Sequence, residues 1–394
     1  MAGPLTGIRI LDLSQVVAGP LATMMLAEQG ADVFKVEAPG GETVRLGNPE
    51  SLVGLFANNN RGKRCVSVDL GMEGASALLL DMAKTCDVFV ENFRPGVADR
   101  LGVGYDEVRA ANPNIIYCSI NGFGNDGPYA NRPALDPVIQ ALTGMIAGQA
   151  SMSLPFPDLI RTLVADKATA YTAAQAITAA LFARDRGAGG QRLDLAMLDA
   201  TMAYYWPDGM SDKTHPDDPT AAPLRACDLY QLVDTIDGKI VYFIATQKQL
   251  EGIWRVLDKH EYLEDPEYND IRMFGSDPAK AIAASMMINE FIGSFTTAEI
   301  VDRMAINEIP CAPVLDRDEA ILDAQVAHNE TLVEWDHPTL GRVRQPRPAV
   351  HFSATPSLIR TFIGTTGEHT DEVLAEFGHD AESIAHLRDR GLIA

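Results

Sequence analysis

Short apolar runs alternate with helix-patterned segments through roughly the first 120 residues, and that alternation constrains the fold more than any other feature. Ile8 to Leu13 reads as a strand, a helix carries Pro20 to Gly30, and Asp32 to Glu37 reads as the next strand. The pattern continues with a strand at Cys65 to Leu70, a helix near Gly74 to Thr85 and a strand at Asp87 to Glu91. A helix near Tyr105 to Ala111 and a strand at Asn114 to Ile120 complete the series. Parallel strands need helix-length crossovers, so this order predicts an α/β fold with a doubly wound, Rossmann-like large domain. No GxGxxG loop follows the first strand. The segment SQVVAGP instead predicts a helix whose N-terminus faces a ligand without a dinucleotide fingerprint.

Beyond this series the pattern changes. Pro207 to Pro223, rich in proline and aspartate, reads as a connector, and Leu229 to Phe243 has a hairpin pattern turning at Asp237-Gly238. Helices are expected near Gln247 to Leu257, Lys280 to Phe295 and Thr297 to Ile306. The expected organisation is a large domain of residues 1–205 with 326–394, a linker over 206–224 and a smaller α+β domain over 225–325. Two amphipathic helices, around Glu368 to Phe377 and Ala381 to Arg390, should return to pack on the first domain.

With 394 residues, 46% hydrophobic and 22% charged, the chain can bury a substantial core. A formal charge of −22 argues against nucleic acid or an anionic membrane as partner, although a local basic pocket can still hold a phosphorylated ligand. No run is long enough to span a bilayer, and MAGPLTGIRILDL lacks a basic segment followed by an apolar one, so a cytoplasmic location is expected. Cys65, Cys86, Cys118, Cys227 and Cys311 are odd in number, widely spaced and without a CxxC pair. They read as thiols of the interior, outside any disulfide framework or zinc site.

The chemistry points to one acid. An extended segment ending in Leu163-Val164-Ala165 would deliver Asp166 to the start of an alanine-rich helix from about Lys167 to Arg184, closed by Gly187, Gly189 and Gly190. As a helix cap this carboxylate is worth about 1 kcal/mol. As a nucleophile toward an acyl carbon it would have helix-terminal N–H groups ready to bind the developing oxyanion.

Several segments, read together, decide which family the chain is similar to: LSQVVAGPLATMMLAEQGADVFKVE, ANNNRGKRCVSVDL, VENFRPGVADRLGVGYDEVRAANPNIIYCSINGFG, GPYANRPALDPVIQALTGM, IPCAPV, HPTLGRVRQP and GEHTDEVLAEFG. In this order, across essentially the whole chain, they resemble the family III coenzyme A transferases, which include formyl-CoA and carnitine-CoA transferases and the related 2-methylacyl-CoA racemases. The resemblance implies an acyl-CoA:carboxylate CoA-transferase with Asp166 as nucleophile, working through an aspartyl anhydride and an aspartyl-CoA thioester. It implies no permanently bound cofactor or metal, a coenzyme A thioester and a small carboxylic acid as substrates, and an interlocked homodimer.

By the same resemblance Gln15, Val16 and Ala18 would line the thioester end of the site, and Asn92 and Phe93 would flank the pantetheine or adenine. The phosphates of CoA need cationic partners. Arg61, Lys63 and Arg64 form the densest basic cluster and Arg94 and Arg100 follow the ENF segment; the resemblance singles out Arg64 and Arg100. Asp136 would either orient the incoming acid or a loop, or cap the helix Pro137 to Leu142. The racemases place a histidine where this chain has Leu135, which cannot carry a proton, so transfer is favoured over racemisation. A CoA-binding protein without turnover is the remaining alternative. Tyr230 to Gly238 has no glycine run, a departure from formyl-CoA transferase.

Overall fold

Residue by residue, alternation sends successive side chains of each strand in the first series to opposite faces of one sheet, which is how they appear in a computed structural model describing residues 3–45, 47–48, 50–52, 54–150, 157–218, 230–272, 276–337 and 340–394. Strands β1 (Arg9–Asp12), β2 (Asp32–Glu37), β3 (Arg64–Ser67), β4 (Val88–Glu91), β5 (Ile116–Asn121) and β6 (Gln191–Ala196) pair in the order β3-β2-β1-β4-β5-β6. Every pairing is parallel. The strand order reverses between β1 and β4, the topological switch point of a doubly wound sheet.

Both faces are covered. Leu11, Phe34, Val66, Phe89 and Tyr117 face one layer, with Leu79 and Met82 of the helix Ala75–Ala83 and with Val373, Leu374 and Ile384 from the C-terminal helices Thr370–Glu376 and Ala381–Asp389. Their strand neighbours Ile10, Val33, Val88 and Ile116 face the other layer. In chain order the helices before residue 210 are α1 (Ala18–Glu28), α2 (Gly54–Asn60), α3 (Ala75–Ala83), α4 (Val97–Arg100), α5 (Tyr105–Ala111), α6 (Asp136–Leu142), α7 (Val164–Ala183) and α8 (Met197–Gly209). Helices α1 and α7 pack together on the second face, with Ala22 and Leu26 of α1 and Ala170, Ala173, Ala174 and Ile177 of α7 in one core.

The returning C-terminus also closes a sheet edge. The outer edge of β3 would expose unpaired backbone groups. Instead the Cys65 carbonyl accepts from His369 N–H at 3.0 Å, while the Cys65 and Ser67 amides donate to His369 Nδ1 at 3.1 Å and Thr370 Oγ1 at 3.0 Å.

The chain forms two compact units, one of Met1–Gln149, Pro157–Tyr205 and His328–Ala394, the other containing Trp206–Ala327. The first also carries an antiparallel pair, β10 (Leu332–His337) with β11 (Gly341–Pro346). In the second, β7 (Val233–Asp234), β8 (Lys239–Tyr242) and β9 (Cys311–Pro313) form a three-stranded antiparallel sheet. Helices Gln247–Val256, Pro278–Ile292 and Thr297–Ile306 bury Trp254, Ile288, Ile300 and Met304 against one another and the sheet. Thr235 N–H donates to the Gly238 carbonyl at 3.0 Å, so the hairpin turns at Asp237-Gly238.

Two local expectations fail. Val164 and Ala165 are helical, because α7 begins two residues before Asp166, and the described residues 157–163 hold no strand. Pro207 lies inside α8 rather than opening an irregular connector, where it removes one i→i−4 hydrogen bond near the end of the helix. Cys227 and Leu229 lie outside the described residues. Cys65, Cys86 and Cys118 are buried, and desolvation pushes each thiol up to about 12, which keeps them unreactive; Cys311 is half-buried. No helix among the described residues is long and apolar enough to cross a membrane.

Gly190 joins α7 to β6 at a point of close backbone approach. A Cβ there would lie 2.5 Å from the Asn114 carbonyl carbon and the Ile115 oxygen, and 2.6 Å from the Pro113 oxygen. No side chain can move aside to admit it. Gly190→Ala is expected to lower stability by about 2–3 kcal/mol, read as a lower urea midpoint with an unchanged slope.

Candidate active site

Three helices of the first unit begin with an apolar residue at the cap position: Val17 before α1, Leu135 before α6 and Leu163 before α7. None supplies a side-chain cap, yet a helix start leaves its first amides without partners. A carboxylate from another element completes one of them, and a second carboxylate faces the start of another. Asp136, the first residue of α6, accepts from the Asp166 N–H through Oδ2 at 3.0 Å and so caps α7. The Asp166 carboxylate in turn lies near the N–H of Ala18, the first residue of α1, which favours its charged form. Asp166 is therefore not the cap of its own helix, nor is Asp136 the cap of Pro137 to Leu142. Each sits inside a first turn and reaches out to the next helix.

Asp136 is itself fixed. Its Oδ1 accepts from Gln140 Nε2 at 2.6 Å, one turn along α6, and Gln140 Oε1 accepts from Ile160 N–H at 3.0 Å. Asp136 and Gln140 are each 1% exposed and Asp166 is 8% exposed. Burial first, and the nearby Asp136 carboxylate second, push the Asp166 carboxyl up to about 7; the Ala18 N–H opposes them. At neutral pH the group is poised between acid and carboxylate.

The turn that presents Ala18 is strained. Val16 has φ +69°, a left-handed conformation that a β-branched residue adopts only at a cost of about 1–3 kcal/mol. Beside it, Gln15 N–H donates to Asn92 Oδ1 at 2.7 Å, and Asn92 Nδ2 donates back to the Gln15 carbonyl at 2.7 Å. Gln15 follows β1 and Asn92 follows β4, so this pair bridges the switch point at the carboxyl edge of the sheet, where doubly wound folds bind ligands. Phe93 is half-buried, and its N–H donates to Glu91 Oε2 at 2.8 Å. Arg100, at the end of α4 on this same carboxyl side, is exposed, as is Arg94.

Sequence reasoning and structure part at the basic cluster. Arg64 opens β3 at the opposite, amino edge of the sheet. Its guanidinium donates to Asp32 at 2.5 Å, Glu376 at 2.7 Å and Glu372 at 3.0 Å, so its fork is filled by carboxylates and a phosphate would have to displace them. Arg61 is buried against Glu28 at 2.5 Å. Lys63, 1% exposed, points inward to Asp12 at 2.9 Å.

Gln140 and the buried charges Asp12 and Lys35 escaped the sequence reading. A usable signal existed for the last two. A central parallel strand is buried on both faces, so a lysine inside DVFKVE must find a charged partner within the protein. An apolar hollow of about 530 Å³, lined by Phe123, Tyr129, Val138 and Leu142 among others, runs along the flank of α6 opposite Asp136 and Gln140. It is distinct from the surroundings of the Asp166 carboxylate.

The raised carboxyl carries a stability signature. The unfolded chain gives up this proton near the ordinary 3.8 and the folded protein near 7, so folded stability falls as pH rises between those values. Asp166→Asn keeps an acceptor for Ala18 and carries no charge. It is expected to exceed the parent in stability by on the order of 2–4 kcal/mol at pH 8, and to lose that advantage near pH 4, in paired urea titrations.

Residues 5–370 match the profile of CoA-transferase family III. The chain is 31% identical over 409 residues to succinyl-CoA:glutarate CoA-transferase of Mus musculus, covering 99% of this chain and 90% of that one. It is 30% identical over 417 residues to formyl-CoA:oxalate CoA-transferase of Streptomyces avermitilis, covering 100% of both. Among solved structures, Rv3272 from Mycobacterium tuberculosis in its orthorhombic form superposes with a TM-score of 0.82 at 30% identity, covering 94% of this chain and 98% of that one. A CAIB/BAIF family protein from Brucella suis gives a TM-score of 0.79 at 27% identity, over 96% and 100% of the two chains. Sequence and fold together make this chain a member of CoA-transferase family III.

Proposed function

We propose that this protein moves coenzyme A between an acyl-CoA and a small carboxylic acid, with Asp166 as the nucleophile. The observation that carries the reading is the buried Asp166 carboxylate, raised by burial and by Asp136 and facing the start of α1. An Asp166 oxygen attacks the thioester carbon, the C–S bond breaks, and a mixed anhydride forms with release of CoA thiolate. The thiolate attacks the aspartyl carbonyl, the anhydride C–O bond breaks, and the first acid leaves as its carboxylate. The acceptor carboxylate then attacks the aspartyl thioester, and the freed thiolate takes the new acyl group and restores Asp166. One thioester replaces another, so the sequence needs no external energy source.

Chain residues have definite parts in this scheme. The Ala18 N–H, at the positive end of α1, stabilises the oxyanion that forms on the aspartyl carbonyl in each exchange. Asp136 orients Asp166 through its backbone and, together with burial, keeps its carboxyl high, which makes the ionised carboxylate a stronger nucleophile at the cost of a smaller ionised fraction near neutrality. Gln15, Val16, Asn92 and Phe93 line the approach of the pantetheine arm, and Arg100 is the cation offered to the CoA phosphates. Relatives named for succinyl-CoA, glutarate, formyl-CoA and oxalate support short carboxylic acids as the substrate class. Leu135, 63% exposed, offers no proton carrier for racemisation. Tyr171 and Phe182, 64% and 60% exposed along α7, support a second copy of the chain as cover for that helix.

Incubation with succinyl-CoA and hydroxylamine should leave a hydroxamate on Asp166, read by peptide mass spectrometry, and Asp166→Ala should abolish both the adduct and CoA transfer while the fold persists. Retained transfer in that variant would falsify the assignment. Adduct formation should rise with pH around a midpoint near 7, and Asp136→Asn, which removes the like charge, should move that midpoint down by on the order of one unit. Solvent deuterium should not enter the α-carbon of a 2-methylacyl-CoA.

A further inference from the structure

Beneath the strained turn lies a cluster of buried charge that the transfer scheme does not use. Asp12, at the end of β1, is fully buried and accepts from Ser14 N–H at 3.0 Å, from the Ser14 hydroxyl, from Thr23 Oγ1 at 2.6 Å and from Lys63 Nζ at 2.9 Å. The Lys63 ammonium spends its other two donors on the Pro20 carbonyl at 2.8 Å and Asn60 Oδ1 at 2.7 Å. Lys35, also fully buried, donates to the Ser14 carbonyl and to Glu42 Oε2 at 2.8 Å. The carbonyls so held, Ser14 and Pro20, flank Val16 on its two sides. Gly19 lets the segment close on itself, since a Cβ there would lie 2.3 Å from Ser14 Cβ.

We propose that Lys35 and Lys63, through Asp12, are positioning residues that hold the turn from Ser14 to Pro20 in the conformation that turns the Ala18 amide toward Asp166. Burying an ammonium costs several kcal/mol even when it is paired, and apolar residues of similar volume are often as stable or more so. A strained φ at Val16 also persists only where its surroundings overdetermine it. The two observations account for each other: the lysines supply the constraint that the turn requires. This rests on the reading of Asp166 as nucleophile. The charged groups facing the parts concerned are Asp136 toward Asp166, Lys63 and Lys35 toward Asp12, and Glu42 and Glu37 toward Lys35.

Two charge-balanced variants test the proposal, Asp12→Asn with Lys63→Met and Lys35→Met with Glu42→Gln, alongside Thr23→Val, which removes a single donor to Asp12 at constant volume. Thermal melts confirm folding, and three quantities are then read: kcat, KM for succinyl-CoA, and the pH midpoint of hydroxylamine-trapped adduct at Asp166. A loosened turn withdraws the Ala18 N–H, so kcat should fall at least about tenfold in the paired variants with KM within about twofold. The adduct midpoint should move upward, because the carboxylate has lost a donor to its charged form. Thr23→Val should give a smaller change of the same sign. Glu28→Gln with Arg61→Met removes a buried ion pair at the far end of α1 and should leave kcat and the midpoint as in the parent. Parental kcat and midpoint in whichever cluster variants fold, Thr23→Val included, would overturn the positioning role. Absence of any adduct on Asp166 in the parent itself would instead overturn the nucleophile reading.

Discussion

The first amides of α1 and α7 have no polar residue of their own at the cap, and the site depends on how that deficit is met. A buried amide must be paired: Asp136 pairs the Asp166 N–H of α7, and the Asp166 carboxylate faces the start of α1. The two contacts link α6, α7 and α1 head to head. They also bring two acids close together in a poorly solvated place, which raises the Asp166 carboxyl. Capping, orientation and tuning are thus one arrangement seen from three sides.

Much of the fold was legible because parallel sheets leave strong traces. The strand Asp32–Glu37 and the helices Tyr105–Ala111 and Thr297–Ile306 carry the ends that the sequence indicates, since each is bounded by residues that stop or start an element. The start of α7 was not legible. Leu163, Val164 and Ala165 are apolar and fit a strand as well as a first helical turn, and only packing against α1 decides. The same holds for Asp136 and Asp166, whose local setting reads as self-capping. Their true partners lie 30 and 148 residues away along the chain, at Asp166 and Ala18 respectively, and no local pattern encodes them.

The basic residues show the limit of reading charge as function. Arg61, Lys63 and Arg64 stand close in sequence and look like a phosphate patch, yet β3 and the segment before it send them to different acids. In a chain with net charge −22, cations are scarce and internal carboxylates compete for them. Arg100 keeps its exposure because it lies on a short helix after β4, beyond the reach of that network.

The contact between α1 and α7 is made largely of alanine methyls, Ala22 on one side and Ala170, Ala173 and Ala174 on the other. Methyl groups have no rotamers to adjust, so the gap between the two backbones is set by closest approach alone. The alignment of the acid with its amide donor is therefore machined into the helix interface. A bulkier residue deep in that seam, several turns from Asp166, would spoil the chemistry by wedging the helices apart well before it unfolded the protein.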